Sequence, residues 1–439
     1  MSQQAGPAAP GSSVSQPLAL WGGIECTVNR VGNSYQDQLQ RSGHHHRADD
    51  LVRIAELGLK TLRYPILWER TAPERIDQPD WRWTDERLGL LRQLAIRPIV
   101  GLVHHGCGPR YATFNGPNFE QQLPRFARQV AERYPWVDAY TPVNEPLTTA
   151  RFSGLYGHWF PHKTNVRVFA EILLRQCRAT VLSMQQIRQV QPQAQLIQTD
   201  DLGQVHSTPL LAYQAEWENH RRWLTWDLLC GRVTDHHPLW DYLRWAGISQ
   251  QELAYFSDHP TPPSVIGVNH YITSERYLDE QLWQYPAHQW GGNNRHRYVD
   301  TEVVRAAPEQ RTGLGGLLRQ TWERYGLPIA VTEAHLGCTV DEQMRWLLEV
   351  WQQTEEARKA GVDVRAVTAW ALLGSYDWDS LLTRQEGHYE AGVFDVRAGH
   401  LQPTLLARLV HRLATGQKPG KLVPPGLGWW QTVPEMKFI

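Results

Sequence analysis

The chain has 439 residues, 41% of them hydrophobic, and its 44 Lys and Arg against 45 Asp and Glu leave a formal net charge of -1. This balance lacks the basic excess typical of proteins that bind nucleic acid or an anionic membrane. No apolar run approaches the roughly 18 residues of a membrane-spanning helix. The unusual component is tryptophan, present 20 times, which indicates either large apolar packing or flat platforms for ligands.

The composition of the two chain ends and the number of cysteines indicate the domain boundaries and the cellular compartment. Residues 1–17 are rich in Gln, Ala, Gly, Pro and Ser and lack the features of a signal peptide, which predicts a disordered tail. The five cysteines are scattered and include no C-x-x-C pair, which argues against a disulfide framework or a cysteine zinc site. These features favour a cytoplasmic enzyme with one catalytic domain at 18–416 and an irregular tail at 417–439.

Short apolar runs alternate with helix-like stretches along the whole domain. Most runs are continuous and rich in β-branched residues and leucine, as expected for parallel strands buried on both faces. The predicted strands are 19–25, 60–67, 97–104, 138–144, 195–199, 264–270, 327–332 and 366–373. Eight such units predict a single α/β domain, a (β/α)8 TIM barrel, with its active site at the carboxyl ends of the strands.

Amphipathic stretches between the strands predict the helices, and two connections are unusually long. The clearest predicted helices are 48–57, 118–134, 168–190 and 341–360. The long βα loops follow strands five and six, at 201–263 and 275–316. The second loop is rich in Trp, Tyr, Gln, Asn and Gly, which makes it a candidate wall of the substrate cleft.

Two predicted strands end in a glutamate. Asn144, Glu145 and Pro146 close the fourth strand, and Glu333 closes the seventh. Glycoside hydrolysis needs one carboxylic acid to protonate the leaving oxygen and a second carboxylate at the anomeric carbon. The two glutamates therefore form a candidate catalytic pair.

Seven segments, in their order and spacing, resemble glycoside hydrolase family 1 of clan A, the β-glucosidase and β-galactosidase family. The resemblance extends from Leu20 to about Ala414. The segments are Leu20-Trp21-Gly22-Gly23, Arg63 within 62–68, His104, Asn144-Glu145-Pro146, 267–274, Thr332-Glu333 and 370–378.

The resemblance implies a retaining β-glycosidase that uses no cofactor and no metal and acts on a small carbohydrate or β-glycoside. Glu145 would be the general acid/base and Glu333 the nucleophile, oriented by Arg63 and Tyr271. We expect the negative charge of Glu333 to raise the pKa of Glu145. The implied substrate-binding residues are Asn144, His104, Asn29, Glu25, Asn269, Trp370, Asp377 and Trp378.

Several positions depart from the family pattern. Asn29, with Glu25 as a rival, stands where the family has a sugar-binding glutamine, and Asp377 replaces a longer glutamate. His105 replaces a tryptophan, and Ala334 with His335 replaces Asn-Gly after the nucleophile. These changes affect the groups that identify the sugar, so we expect a divergent member whose reaction is better defined than its substrate.

Two other functions remain open from the sequence. One is a transglycosidase on the same scaffold, and the other is a non-catalytic sugar-binding barrel. The histidine run 44–46 lacks the spacing of a zinc site and is interpreted as a loop feature, although it could line the cleft. Trp283 and Trp290 are candidates for outer sugar subsites or a lid, whereas tryptophans in helix-like stretches, such as Trp245, are expected to pack.

Overall fold

The computed structural model describes residues 16–432, so that residues 1–15 of the predicted N-terminal tail and residues 433–439 lie outside the described chain. Eight parallel strands form a closed barrel in which each strand lies between its neighbours in sequence. The strands are β1 Ala19–Gly23, β2 Thr61–Pro65, β3 Arg97–His104, β4 Ala139–Asn144, β5 Gln195–Asp201, β6 Val265–Asn269, β7 Ile329–Ala334 and β8 Val364–Ala369. The predicted (β/α)8 barrel is confirmed.

Strand β1 closes the barrel between β8 and β2. Ala19 pairs with Ala366 on one side, and Gly22 pairs with Leu62 on the other. Side chains that point inward from the strands fill the interior as a packed layer, as in other barrels of this size. This layer consists of Trp21, Ile99, Ala139, Ile197, Ala330 and Ala366.

Helices cover the outside of the barrel. The helices that follow single strands are Asp50–Ala55, Arg82–Gln93, Asn118–Arg133, Val166–Val190, Gly313–Tyr325, Val340–Lys359 and Leu405–Ala414. Polar caps begin two of the longest, where the side chains of Asn165 and Thr339 accept bonds from backbone N–H groups of the first turn. None of the helices within residues 16–432 is long and apolar enough to cross a lipid bilayer.

The two long loops after β5 and β6 form a common structure that the sequence did not predict. Their segments build a four-stranded sheet in the order Trp290–Gly292, Arg297–Glu302, Arg276–Asp279 and Val205–Ser207. The last two segments pair in parallel, one from each loop. The first loop also carries the helices Ala212–Arg221, Leu224–Leu229, Trp240–Trp245 and Gln250–Asp258. Because the sheet joins both loops, it forms a single wall above the carboxyl ends of the strands.

The described part of the C-terminal tail packs against the barrel. It contains two 3₁₀ turns, Gly420–Leu422 and Trp429–Gln431. Trp430 is buried, its ring meets that of Trp346 edge-on at 5.5 Å, and its Nε1 donates to Glu349 at 2.6 Å. This segment therefore contributes to the packing around helix Val340–Lys359.

The tryptophans in helix-like stretches differ in their exposure. Trp226 and Trp346 are buried, as expected for residues that pack in the core. Trp245 is 74% exposed, so the expectation that it packs was wrong. Its helix presents that position to solvent.

We expect Trp430→Ala to lower the free energy of unfolding by about 3 kcal/mol, because the change removes a large buried ring and leaves a cavity. Chemical denaturation of the two proteins measures the difference. Trp245→Ala is the matched control, and it should change stability by less than about 0.5 kcal/mol. Equal effects of the two substitutions would contradict the packing of the tail.

Candidate active site

One arginine connects three strands at the carboxyl end of the barrel. Arg63 of β2 donates from Nη1 to the carbonyl oxygen of Thr332 and to Oε1 of Glu333, both at 2.7 Å. Its Nη2 donates to Oδ1 of Asn144 at 2.6 Å. A guanidinium is suited to this position because its planar donors reach several acceptors at once. The predicted proximity of Arg63 to Glu333 is present in the structure.

Glu333 is buried at the end of β7. The register of β7 shifts against both neighbouring strands close to this residue, an irregularity of the kind that redirects side chains. The hydroxyl of Tyr271 donates to Oε2 at 2.5 Å, so both carboxylate oxygens have donors. Burial raises the pKa of Glu333 to about 7, although Arg63 and Tyr271 act in the opposite direction.

Glu145 follows β4 in a left-handed backbone conformation, with φ +47°. Such a conformation costs about 1–2 kcal/mol in a residue other than glycine and is typical of functional sites. Pro146 begins the short helix Pro146–Ala150 directly after it. Nδ2 of Asn269 donates to Oε1 of Glu145 at 2.5 Å. The strand therefore ends with the carboxyl group fixed at the barrel rim.

The pKa of Glu145 is raised well above its ordinary value. Burial is the largest cause, and the negative charge of Glu333 is the second. The expected effect of the Glu333 charge is therefore present, and burial adds a larger one. Nε2 of His105 lies 3.8 Å from Glu145, and burial lowers the pKa of this histidine to about 3, so its ring is neutral.

A buried aspartate supports the segment behind Glu145. Asp200 accepts from the backbone N–H of Leu147 at 2.9 Å and from the hydroxyl of Thr225 at 2.6 Å. Burial raises the pKa of Asp200 to about 6. The carboxylate caps the helix after Glu145, where backbone N–H groups lack intrahelical partners.

Asn144 is held in one orientation beside the two histidines. Its Oδ1 accepts from the hydroxyl of Thr199 at 2.7 Å as well as from Arg63. Its Nδ2 lies 3.3 Å from Nε2 of His104 and 3.4 Å from Nε2 of His105. Burial lowers the pKa of both histidines, so each ring is neutral, and its Nε2 accepts from Asn144 in the tautomer that carries the proton on Nδ1.

The two glutamates border the same cavity, which has a volume of about 770 Å³. The cavity is also lined by four other residues predicted from the sequence, namely Glu25, Tyr271, Trp370 and Trp378. Three further predicted residues lie behind this lining. Arg63 bonds to Glu333 and to Asn144. Asn269 bonds to Glu145 and to the hydroxyl of Thr332. The structure thus assembles most of the predicted site in one place.

Two residues, Glu25 and Asn29, were candidates for the position of the family's sugar-binding glutamine, and the structure distinguishes them. Glu25 lines the cavity, accepts from the backbone N–H of Thr27 at 2.8 Å and lies 3.4 Å from Nε1 of Trp370. Burial raises the pKa of Glu25. Asn29 lies in the hairpin strand Val28–Val31, is fully buried and has no amide partner among residues 16–432. Only Glu25 of the two borders the cavity within the described chain.

Asp377 has structural partners instead of a place in the cavity. It is fully buried, and its carboxylate accepts from Arg41 at 2.5 Å and from the backbone N–H of His388 at 2.7 Å. The described residues that line the cavity include its neighbour Trp378 but not Asp377. The predicted substrate contact of Asp377 is therefore not formed by this arrangement.

Trp370 is fixed from several sides. The ring of His104 stacks on it at 5.3 Å with an interplanar angle of 8°, and the Arg63 guanidinium lies 4.5 Å from its centroid. A Cβ at Gly23 would overlap the indole, so only glycine fits at that point of β1. Trp370 is thus a rigid wall of the cavity. His104 stacks on this wall and is not among the described residues that line the cavity.

Some residues that line the cavity were not selected from the sequence. They include the polar residues His105, His335, Glu390 and Arg151. The departures from the family pattern at His105 and His335 were the available signal, whereas Glu390 lies in no motif. Trp283 and Trp290, which are 74% and 39% exposed, are not among the described lining residues.

The histidine run 44–46 has a structural role at its first position. His44 is buried between Asp50 and Tyr64, at 2.9 Å from each partner. Burial lowers its pKa. The part of the chain that the structure describes contains no group of three or more His, Cys, Asp or Glu side chains arranged to hold a metal ion.

Comparison with known proteins agrees with this site. The glycosyl hydrolase family 1 model matches residues 25–389. The chain belongs to glycosyl hydrolase family 1. It is therefore a glycoside hydrolase that acts on O-glycosyl bonds, and the family and the β-glucosidase neighbours described below support a β-glycosidase.

The relatives are distant. The aryl-phospho-β-D-glucosidase BglC of Bacillus subtilis is 22% identical over 377 residues, which cover 76% of this chain and 78% of the relative. A β-galactosidase of Sulfolobus acidocaldarius is 38% identical over 69 residues, and this match spans 16% of the chain and 14% of the relative's length. A family 1 β-glucosidase from Thermotoga maritima superposes with a TM-score of 0.72 at 15% identity, covering 90% of this chain and 97% of that chain. At this identity the superposition shows a shared fold.

We expect Glu145→Gln to raise the free energy of unfolding at pH 8 by about 1–3 kcal/mol, because the neutral amide removes the cost of burying an ionisable carboxyl group. The unfolded carboxyl ionises above its ordinary pKa of 4.5, whereas the folded one resists ionisation. The wild type therefore loses stability as pH rises above 4.5, and the advantage of the variant should shrink toward pH 5.

Denaturant titrations at pH 5 and pH 8 measure this effect. Glu355→Gln is the control because Glu355 is exposed on helix Val340–Lys359. A stability gain in Glu145→Gln that is equal at both pH values would contradict a raised pKa.

Proposed function

We propose that the chain is a retaining β-glycosidase that releases terminal β-linked sugars by double displacement. The observation that carries the proposal is the unequal environment of the two buried carboxyl groups. Glu333 accepts charge-stabilising bonds from Arg63 and Tyr271, whereas among residues 16–432 the side chain of Glu145 accepts one bond, from Asn269. Two carboxyl groups with pKa values separated by their surroundings are suited to divide the acid and nucleophile roles.

In the first step, an oxygen of Glu333 attacks the anomeric carbon while Glu145 gives its proton to the glycosidic oxygen. The bond from the anomeric carbon to the aglycone breaks, a bond to Glu333 forms, and the aglycone leaves as an alcohol. In the second step, Glu145 accepts a proton from water, the water oxygen attacks the anomeric carbon, and Glu333 departs as a carboxylate.

The charge of Glu333 couples these two steps. This charge is one cause of the raised pKa of Glu145, which keeps the acid protonated in the free enzyme. Formation of the glycosyl ester removes the charge, so the pKa of Glu145 falls. Glu145 is then able to act as a base in the second step.

A carbohydrate is the substrate class that the family and the cavity support. Trp370 and Trp378 offer aromatic surface, and Glu25 offers a carboxylate to sugar hydroxyls. Asn144 has its oxygen occupied by Arg63 and Thr199, and its amide nitrogen lies beside His104 and His105, so it supports the site from behind the residues that line the cavity. The β-glucosidase and β-galactosidase names of the relatives favour a terminal β-hexoside.

We expect Glu333→Gly to reduce kcat on an aryl β-glycoside by at least about 10⁴-fold, because the covalent route is lost. Added azide should restore turnover and yield an α-glycosyl azide, since azide occupies the space left by the carboxylate. NMR of the product identifies its anomer.

Glu145→Gly is the matched variant for the other carboxyl group. With an activated aryl glycoside and azide it should instead give the β-glycosyl azide, because Glu333 still forms the ester. Undiminished turnover in Glu333→Gly would refute the nucleophile assignment. Transfer of the sugar to an added alcohol in preference to water would favour a transglycosidase.

We expect Tyr271→Phe to move the acidic limb of the pH profile of kcat/KM upward by about one unit. The Tyr271 hydroxyl donates to Glu333 and favours its ionised form, so loss of the hydroxyl raises the pKa of the nucleophile. The free enzyme needs the ionised nucleophile. As the pH is lowered, the variant should therefore lose activity at a higher pH than the wild type does.

Tyr140→Phe is the control for this change. Tyr140 is buried in β4, and its hydroxyl has no partner among the described residues. A profile of Tyr271→Phe that superposes on those of the wild type and Tyr140→Phe would show that the Tyr271 hydroxyl does not tune Glu333.

A further inference from the structure

A group of polar side chains lies on the side of the cavity formed by the loops after β7 and β8. His335, Ser375, Trp378 and Glu390 all line the cavity. We refer to these four residues as the polar recess. His335 is two residues after Glu333, so one member of the recess is adjacent in sequence to the proposed nucleophile.

The carboxyl group of Glu390 is held in place by its backbone surroundings. Ser375 and Glu390 face each other in the antiparallel pair formed by Ser375–Tyr376 and Tyr389–Glu390. Gly337, which also lines the cavity, lies against the carboxyl group so closely that a Cβ there would overlap it. A side chain fixed in this way is positioned for a ligand before the ligand arrives.

The polar atoms of the recess lack protein partners. Oγ of Ser375, Nε2 of His335 and Nε1 of Trp378 are buried and unbonded within residues 16–432. Nε2 of His335 lies 3.6 Å from Oε2 of Glu390, which is beyond hydrogen-bond distance. Most buried polar groups in native proteins have a partner, so a cluster of exceptions beside a cavity points to a ligand.

The neighbouring carboxylate does not compete for this role. Asp377 is directly before Trp378, but its oxygens are occupied by Arg41 and by the N–H of His388. Among the described residues, the polar neighbour of the Glu390 carboxylate is His335 at 3.6 Å, and the carboxylate borders the cavity. Asp379 of the same loop also borders the cavity but is exposed, whereas Glu390 is partly buried beside His335.

We propose that the polar recess binds one hydroxyl group of the terminal sugar and thereby determines substrate specificity. Glu390 accepts the hydroxyl hydrogen, and His335, whose Nε2 lies 3.6 Å from Oε2 of Glu390, donates to the hydroxyl oxygen. This inference rests on the proposed function, because it assigns the specificity of the same site. The negative Glu390 favours an uncharged sugar and opposes a phosphorylated one, in contrast to the name of the Bacillus subtilis relative.

The test combines enzyme variants with modified substrates. The value of kcat/KM is measured for p-nitrophenyl β-glucoside or β-galactoside, whichever is faster, and for its 3-, 4- and 6-deoxy analogues. Glu390→Ala should lower kcat/KM about 100-fold on the complete sugar, and Glu390→Gln about tenfold. On one deoxy analogue the loss should be within about threefold, because the partner hydroxyl is already missing.

Glu386→Gln is the matched control. Glu386 belongs to the same loop, is exposed and pairs with Arg384 at 3.1 Å. This variant should keep the wild-type kcat/KM on every substrate. Thermal unfolding checks each variant, and Glu390→Gln carries the test if Glu390→Ala does not fold.

Equal losses on all analogues, or faster wild-type hydrolysis of the 6-phosphorylated glycoside, would overturn the proposal. Failure of the proposed function has a different signature, namely a wild type that hydrolyses none of these glycosides. Deoxynojirimycin is then the probe, and calorimetry measures its Kd for the wild type and Glu390→Gln. A Kd raised about tenfold by the substitution supports the recess, whereas an unchanged Kd or no binding overturns it.

Discussion

The guanidinium of Arg63 is the interaction on which both the barrel rim and the candidate site depend. From β2 it reaches the carbonyl of Thr332 and the carboxylate of Glu333 on β7, and the amide oxygen of Asn144 on β4. These bonds cross the interior of the barrel and hold three strand ends in a fixed relation. A buried carboxylate without such a partner would take up a proton and lose its nucleophilic character. The same contacts therefore position the strand ends and keep Glu333 reactive, so structure and chemistry at this point cannot be separated.

Burial, and the number of donors that offset it, sets the difference between the two glutamates. Both carboxyl groups are removed from water, which raises the pKa of each. Glu333 has a cationic donor and a phenol, whereas the Glu145 side chain has the amide of Asn269 and the repulsion of a second carboxylate nearby. The left-handed backbone at Glu145 adds strain that the capped helix behind it, braced by Asp200, helps to maintain. Both carboxyl groups are buried, but they differ in the number of donors around them, and this difference makes their pKa values unequal.

The sequence predicted those features that depend on local pattern. Continuous apolar runs revealed all eight strands because parallel strands buried on both faces have no polar side, and Glu145 and Glu333 were recognisable because each ends such a run. The sheet above the barrel was missed because its segments are short and pair across loops, as Val205–Ser207 does with Arg276–Asp279. The partner of Asp377 could not be predicted, since Arg41 lies 336 positions earlier in the chain. Glu390 carried no signal because its place depends on the hairpin with Ser375 and on its contact with Gly337.

Most departures from the family pattern follow the strands, although Ala334 differs within β7 and Glu145 is retained just beyond β4. Arg63, Asn144, Asn269 and Glu333 belong to barrel strands, where a change would disturb hydrogen bonds that cross from strand to strand. His105, His335 and Asp377 follow the strands, where the backbone tolerates substitution because it no longer sets the register. At these positions the chain differs from the family pattern. The engagement of Asp377 by Arg41 illustrates the consequence, because it withdraws one carboxylate from the cavity while the hairpin of Tyr389–Glu390 presents another. A barrel can thus retain the groups for bond cleavage and alter the groups that face the rest of the sugar.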